Sequence, residues 1–179
     1  MNKDRDAALV NDCRNGDRRA MSQLVSQYQR PVYNAAYRIL GNEDDAADTT
    51  QTVFLKVFEH IVDYDPKFKF FSWVYRIAIN ESLNQVKKRR KQEPLADSQE
   101  STWQGPAEVL ESTRLCQRVQ GALMTLNVDY RSVVVLKHIS GCSYQQISEI
   151  LQLPVKTVKS RLYTARQMMK KTLQSDGSD

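Results

Sequence analysis

The chain is poor in the residues that metal, disulfide and small-molecule chemistry need. Three cysteines, Cys13, Cys116 and Cys142, are too widely spaced to form a C-x-x-C pair, and their odd number argues against a disulfide framework. The two histidines, His60 and His138, do not complete a zinc set with them. The cysteines are therefore expected to be small buried hydrophobes in a reducing compartment. Six glycines are scattered, none in a phosphate-cradling loop. No nucleophile–base arrangement or paired catalytic acid stands out, so no enzyme, cofactor or metal is expected. No apolar run follows Met1, and none is long enough to cross a bilayer. A soluble cytoplasmic protein is the expectation.

Charge is abundant, and it is sorted. Residues 43 to 65 carry seven acids (Glu43, Asp44, Asp45, Asp48, Glu59, Asp63, Asp65) against Lys56 alone. Residues 87 to 91 are all basic, and from Arg131 to Lys171 eight cations face the single acid Glu149. The net charge of +5 averages two basic zones with one acidic zone. Basic zones suit phosphate, and the acidic zone suits a basic partner.

Convincing strand alternation is also missing, and helical periodicity fills the space. Leu9, Cys13, Met21, Leu24, Val25 and Tyr28 predict one or two amphipathic helices interrupted near Gly16-Asp17. Val32, Ala36, Ile39 and Leu40 extend the pattern to a stop at Gly41-Asn42. A third helix is predicted from Glu43 to about Ile61, and a fourth from about Phe71 to Lys91. Residues 93 to 107 are polar, hold two prolines and have no period, which reads as a flexible linker. Val109 to Leu126, Tyr130 to Ile139, Tyr144 to Leu151 and Val155 to Leu173 read as four more helices. The expected fold is all-α, with two small helical domains at 1–92 and 109–175 joined by a linker at 93–108.

Ser143 to Arg166 has the form of a helix-turn-helix hinged at Leu153-Pro154. On its second helix Val155, Val158, Leu162 and Ala165 form an inward stripe at about 100° per residue. Lys156, Lys159, Ser160, Tyr163 and Arg166 remain outward, able to neutralise phosphates or bond base edges. In the N-terminal half, Phe68-Lys-Phe-Phe-Ser-Trp-Val-Tyr-Arg76 interleaves aromatics with cations, a pattern that holds single-stranded DNA, although some of these rings must belong to the core.

Several motifs together resemble one family. Tyr130-Arg131-Ser-Val-Val-Val-Leu, Gly141-Cys-Ser-Tyr-x-x-Ile and Pro154-Val-x-Thr-Val-Lys-Ser-Arg-Leu are similar to region 4 of the extracytoplasmic-function (ECF, group 4) sigma-70 factors of bacterial RNA polymerase. Tyr28-x-x-x-Val32-Tyr, Asp45-Ala-x-Asp48-x-Thr-Gln-x-Val-Phe-Leu55 and Phe71-x-Trp73-Val-Tyr-Arg-Ile-Ala-x-Asn80 are similar to region 2. The resemblance implies an alternative sigma factor that binds core RNA polymerase, at the β′ clamp helices and the β flap, and directs transcription initiation at promoter DNA. Reading of the −35 element then falls to Lys156, Thr157, Lys159, Ser160, Arg161, Tyr163 and Arg166. Recognition and melting of the −10 element fall to Lys67, Lys69, Phe70, Trp73, Arg76, Asn80, Lys87, Lys88, Arg89 and Arg90. Lys156 stands where glycine is common and Thr164 where arginine is frequent, so promoter sequence does not carry over. A helix-turn-helix regulator that is not a sigma subunit is the alternative; the N-terminal aromatic–basic pattern speaks against it.

In the family, the helix beginning near Glu43 docks on polymerase through acids, with a pattern resembling Asp-Ala-Glu-Asp-Val-x-Gln-Glu-Val-Phe. The resemblance assigns docking here to Asp45, Asp48, Gln51 and Phe54. Ala47 and Thr52 replace two of the carboxylates, and Thr49 replaces an aliphatic residue. On a helical projection Asp45, Asp48, Thr49 and Thr52 fall within about 100°, the face expected to meet polymerase. Interfacial charge pairs couple by roughly 1.5–7 kcal/mol, so the loss matters. One reading is that a Ser/Thr kinase restores the charge, at Thr52 or Thr49 by face, or at Thr50; the other is neutral drift offset by Glu43 and Asp44. An anti-sigma factor is a further partner the sequence leaves open.

Overall fold

A computed structural model describes residues 3–92 and 107–175, with side chains from 6 to 89 and 114 to 174. The linker expected at 93–108 falls almost entirely outside the described residues. No strand occurs among those described. The first domain contains α1 (Lys3–Arg14), α2 (Arg18–Leu40), α3 (Glu43–Glu59) and α4 (Phe70–Gln92), with a 3₁₀ turn at Ile61–Asp63. The second contains α5 (Ala107–Met124), α6 (Val128–Val134), α7 (Tyr144–Leu151) and α8 (Val155–Ser175), with a π-turn at Val135–Ile139 continuing α6.

The boundaries follow local chemistry. Asp17 caps α2, its Oδ1 accepting from the amide of Arg19 at 2.7 Å. Gly41 ends that helix at φ 73°, and Asn42 Oδ1 opens α3 by accepting from Asp45 N at 2.9 Å. Ser143 and Gln146 form a reciprocal capping box on α7. The expected helix through Ile139 widens at its end. Ser140 N bonds Val135 O at 3.0 Å, an i→i+5 closure that reorients His138.

Leu24, Tyr28, Val32, Val53, Val57, Phe70 and Val74 share the core of the first domain. Leu123, Val133, Leu136, Ile147, Val158 and Leu162 form that of the second, and this cluster runs on without a break to Ile39, Tyr75 and Ile79 of the first. The two domains are therefore packed face to face, with α7 lying against α4. Cys13 and Cys142 are buried as expected; Cys116 is exposed on α5, contrary to expectation.

Candidate nucleic-acid interface

The second helix of the helix-turn-helix is α8, anchored by Val158, Leu162 and Ala165, which are fully buried. Lys156, Lys159, Ser160, Tyr163 and Arg166 are exposed, as the projection requires, and Tyr163 is the most open of the described large apolar side chains at 67%. Thr157 is half-buried. Arg161 departs from expectation: its Nη2 lies 3.4 Å from Asp129 Oδ2, so it braces α8 against α6 rather than facing outward.

Three neighbours of this surface carry no periodicity signal in the sequence. Lys159 Nζ stands 5.6 Å from the centroid of the Tyr144 ring, and Lys137 Nζ stands 4.8 Å from it. His138 Nε2 accepts from Nε and Nη2 of Arg166 at 3.2 and 3.1 Å. Burial, then Arg166 and Lys137, hold the imidazole below its ordinary range, which keeps it a neutral acceptor. The π-turn carries both residues, Lys137 lying against Tyr144 of α7 and His138 against Arg166 of α8, and a helical projection of residues 130–139 could not show it.

In the first domain, Arg14 ties down the segment before α4. Its guanidinium donates to Ile61 O at 3.0 Å, to Val62 O at 3.3 Å and to Tyr64 O. Tyr64 Oη donates to Phe68 O at 2.6 Å. Phe68 projects between the exposed Lys67 and Lys69, itself 54% exposed. Phe70, expected at the DNA surface, is instead 3% exposed and packs edge-on against Tyr28 and Tyr64. Trp73 is half-buried against Tyr64 and Phe70. Arg76, Asn80 and Lys87 are exposed at helical spacing on one stripe of α4, with Lys88 exposed to its side. Arg89 turns away from that stripe and pairs with Asp45 of α3. The side chain of Arg90 lies outside the described residues.

On α3 the outward face is rotated from the one expected. Asp44, Asp48, Gln51 and Leu55 lie within about 60° of one another and are all exposed, Leu55 at 64%. Phe54, expected to dock, is 8% exposed and part of the core. Asp45 is held by Arg89 and by Gln85 Nε2 at 3.4 Å. Thr49 and Thr50 are buried, and Thr50 Oγ1 bonds Ala46 O at 2.6 Å. Thr52 alone of the three is half-exposed, with Oγ1 donating to Asp48 O at 2.9 Å. The core of α3 is wider than the projection allowed, because both α2 and α4 pack against it. Ala47 lies in a cleft of about 390 Å³ between α2 and α3, together with Arg30, Tyr33 and Gln51.

The molecule thus has a basic, aromatic-bearing surface on each domain and an acidic face on α3. No described helix is long and apolar enough to cross a membrane. Residues 24–92 match the family description Sigma-70 region 2, and residues 116–169 match Sigma-70, region 4. The chain is 31% identical over 177 residues to the ECF RNA polymerase sigma factor SigW of Bacillus subtilis, covering 92% of this chain and 94% of that one. It is also 31% identical over 181 residues to the ECF RNA polymerase sigma-E factor of Haemophilus influenzae, covering 94% and 95%. Among solved structures, CnrH in complex with the cytosolic domain of CnrY superposes with a TM-score of 0.76 at 28% identity, over 96% of this chain and 99% of that one. The sigma factor RpoE of Bartonella quintana, co-crystallised with the anti-sigma factor NepR, shares the fold at 22% identity and a TM-score of 0.70, over 87% and 97%. With both signature regions present, in order and on the expected helices, the chain belongs to the ECF sigma-70 family of RNA polymerase sigma factors.

Proposed function

We propose that this sigma factor, which serves transcription initiation by RNA polymerase, docks on the enzyme through the Asp44–Asp48–Gln51–Leu55 face of α3, and that phosphorylation of Thr52 makes that docking strong. The single observation that carries the reading is the exposure pattern of α3. Of its three threonines only Thr52 is half-exposed rather than buried, and it borders the acidic face. A phosphate there adds about −1.5 to −2 charges and three strong acceptors beside Asp48, supplying charge that the face lacks. Promoter contacts are assigned to Lys156, Lys159, Ser160, Tyr163 and Arg166 for the −35 element, and to Lys67, Phe68, Lys69, Arg76, Asn80, Lys87 and Lys88 for the −10 element. Catalysis stays with the polymerase.

The test is the affinity of the full-length chain for core RNA polymerase before and after treatment with a Ser/Thr kinase. Phosphorylation is expected to tighten binding at least about tenfold, equivalent to about 1.4 kcal/mol. Thr52→Val should abolish the gain, while Thr49→Val and Thr50→Val leave it. Equally tight binding by the unmodified chain overturns the phosphorylation reading and leaves control to a separate inhibitory partner such as an anti-sigma factor.

A further inference from the structure

Helix α1 precedes the residues matched to Sigma-70 region 2, yet it is fixed to that domain along its length. Leu9, Val10 and Cys13 enter the core of the first domain. The carboxylate of Asp6 is buried and accepts at both oxygens, from Gln27 Nε2 at 2.8 Å and from Tyr28 Oη at 2.7 Å. A buried carboxylate satisfied in this way sets the register of α1 on α2. Arg14, in the last turn of α1, is thereby delivered to the segment that joins α3 to α4.

That segment needs outside support. Of residues 61–69 only Ile61 and Tyr64 are buried, and the rest are exposed. The Arg14 fork bonds the carbonyls of Ile61, Val62 and Tyr64, and its central carbon stands 6.0 Å from the centroid of the Tyr64 ring. Tyr64 passes the constraint on. Its Oη donates to Phe68 O at 2.6 Å, while its ring packs on Phe70 and Trp73. A chain of contacts thus runs from α1 through Arg14 and Tyr64 to the exposed ring of Phe68. Arginine suits this place because a rigid planar fork offers donors to several carbonyls from one position.

We infer that Arg14 is a positioning residue for recognition of the single strand: α1 braces residues 61–69 so that Phe68 is already placed to stack on an unpaired base. The brace acts before DNA arrives. An unbraced segment samples many conformations, and apparent affinity falls with the fraction that can bind. This role rests on the −10 contacts proposed above, and it adds to them a residue that itself touches no DNA.

The experiment is fluorescence anisotropy of a labelled single-stranded −10 oligonucleotide with the full-length chain, comparing Arg14→Ala, Tyr64→Phe, Phe68→Ala and the Arg14→Ala, Phe68→Ala double variant. Arg14→Ala should weaken binding about tenfold, by lowering the competent fraction of the segment. Tyr64→Phe, which removes only the hydroxyl bonded to Phe68 O, should weaken it about threefold. Neither should change the salt dependence. A slope of log K against log salt lowered by about 0.7 in Arg14→Ala would make Arg14 a phosphate ligand and overturn the brace. In the Phe68→Ala background, Arg14→Ala should add less than about twofold, because its effect passes through that ring. Equal losses in both backgrounds, as a merely weakened domain would give, overturn it. Should Arg14→Ala fail to fold by circular dichroism, Tyr64→Phe decides, and unchanged binding by that variant overturns it. Phe68→Ala without effect would remove the −10 reading and the brace with it. Loss in Phe68→Ala but in neither Arg14→Ala nor Tyr64→Phe would remove the brace alone.

Discussion

Arg89, the third cation of the basic run at 87–91, pairs with Asp45, the first acid of the docking motif. Each is thereby withdrawn from the partner that the sequence suggested for it, DNA for one and polymerase for the other. The pair is partly buried, with Asp45 the better shielded. A double-mutant cycle on Asp45→Ala and Arg89→Ala, read by chemical denaturation, should give a coupling of about 1 kcal/mol. Additive effects would mean that the pair contributes nothing.

On α8, Lys159 and Arg161 are expected to behave differently although both are cations of the recognition helix. Lys159→Ala should reduce the slope of log K against log salt for promoter binding by about one unit. Arg161→Ala should leave the slope alone and lower the stability of the second domain, because it loses Asp129. Fluorescence anisotropy across a salt series decides this; a slope lowered equally by both would return Arg161 to the DNA face.

Phe68 and Phe70 give a similar contrast in the segment proposed to contact the −10 element. Phe68→Ala should weaken binding of a single-stranded −10 oligonucleotide by about 1–3 kcal/mol with little change in thermal stability. Phe70→Ala should cost about 3–5 kcal/mol of stability, since the ring sits between Tyr28 and Tyr64. Comparable oligonucleotide affinity in parent and Phe68→Ala proteins would remove Phe68 from that surface.

Much of this was legible in sequence. The helices, the inward stripe of α8 and the outward Lys156, Lys159, Ser160, Tyr163 and Arg166 follow from a period of 3.6. What a single-helix projection cannot show is how many neighbours a helix has. The projection of α3 already set Thr50 and Phe54 inward, but with α2 and α4 both against the helix Thr49 turns inward as well and Leu55 becomes the centre of the open face. Arg131 is the sharper case. A buried arginine is not read from periodicity, because its role depends on the carbonyl ends of helices distant in the chain. His138 was missed because a π-turn shifts its direction, and Arg161 because an acid on a different helix reaches it.

The cysteines supply a pH test. Burial, the larger cause, pushes the Cys142 thiol up to about 12 against the opposing pull of Lys137; burial, then Asp12 and Asp17, push Cys13 up to about 11. Both folded values lie above the ordinary value of 9.0. The unfolded chain therefore ionises first, and the stabilisation these thiols give is complete below pH 9.0 and is lost progressively toward 11–12. At pH 8 a thiol reagent should modify exposed Cys116 promptly and leave Cys13 and Cys142 until denaturant is added. Three equally fast thiols in the native protein would contradict the burial.

Run-off transcription by core RNA polymerase is the most direct measurement of the central claim, that promoter recognition is built in while docking is conditional on Thr52. Three preparations are compared on one promoter: the unmodified chain, the chain phosphorylated at Thr52, and Thr52→Val after the same kinase treatment. The expected result is at least about tenfold more transcript from the phosphorylated chain than from the other two. Full transcription by the unmodified chain, or by Thr52→Val, would contradict it.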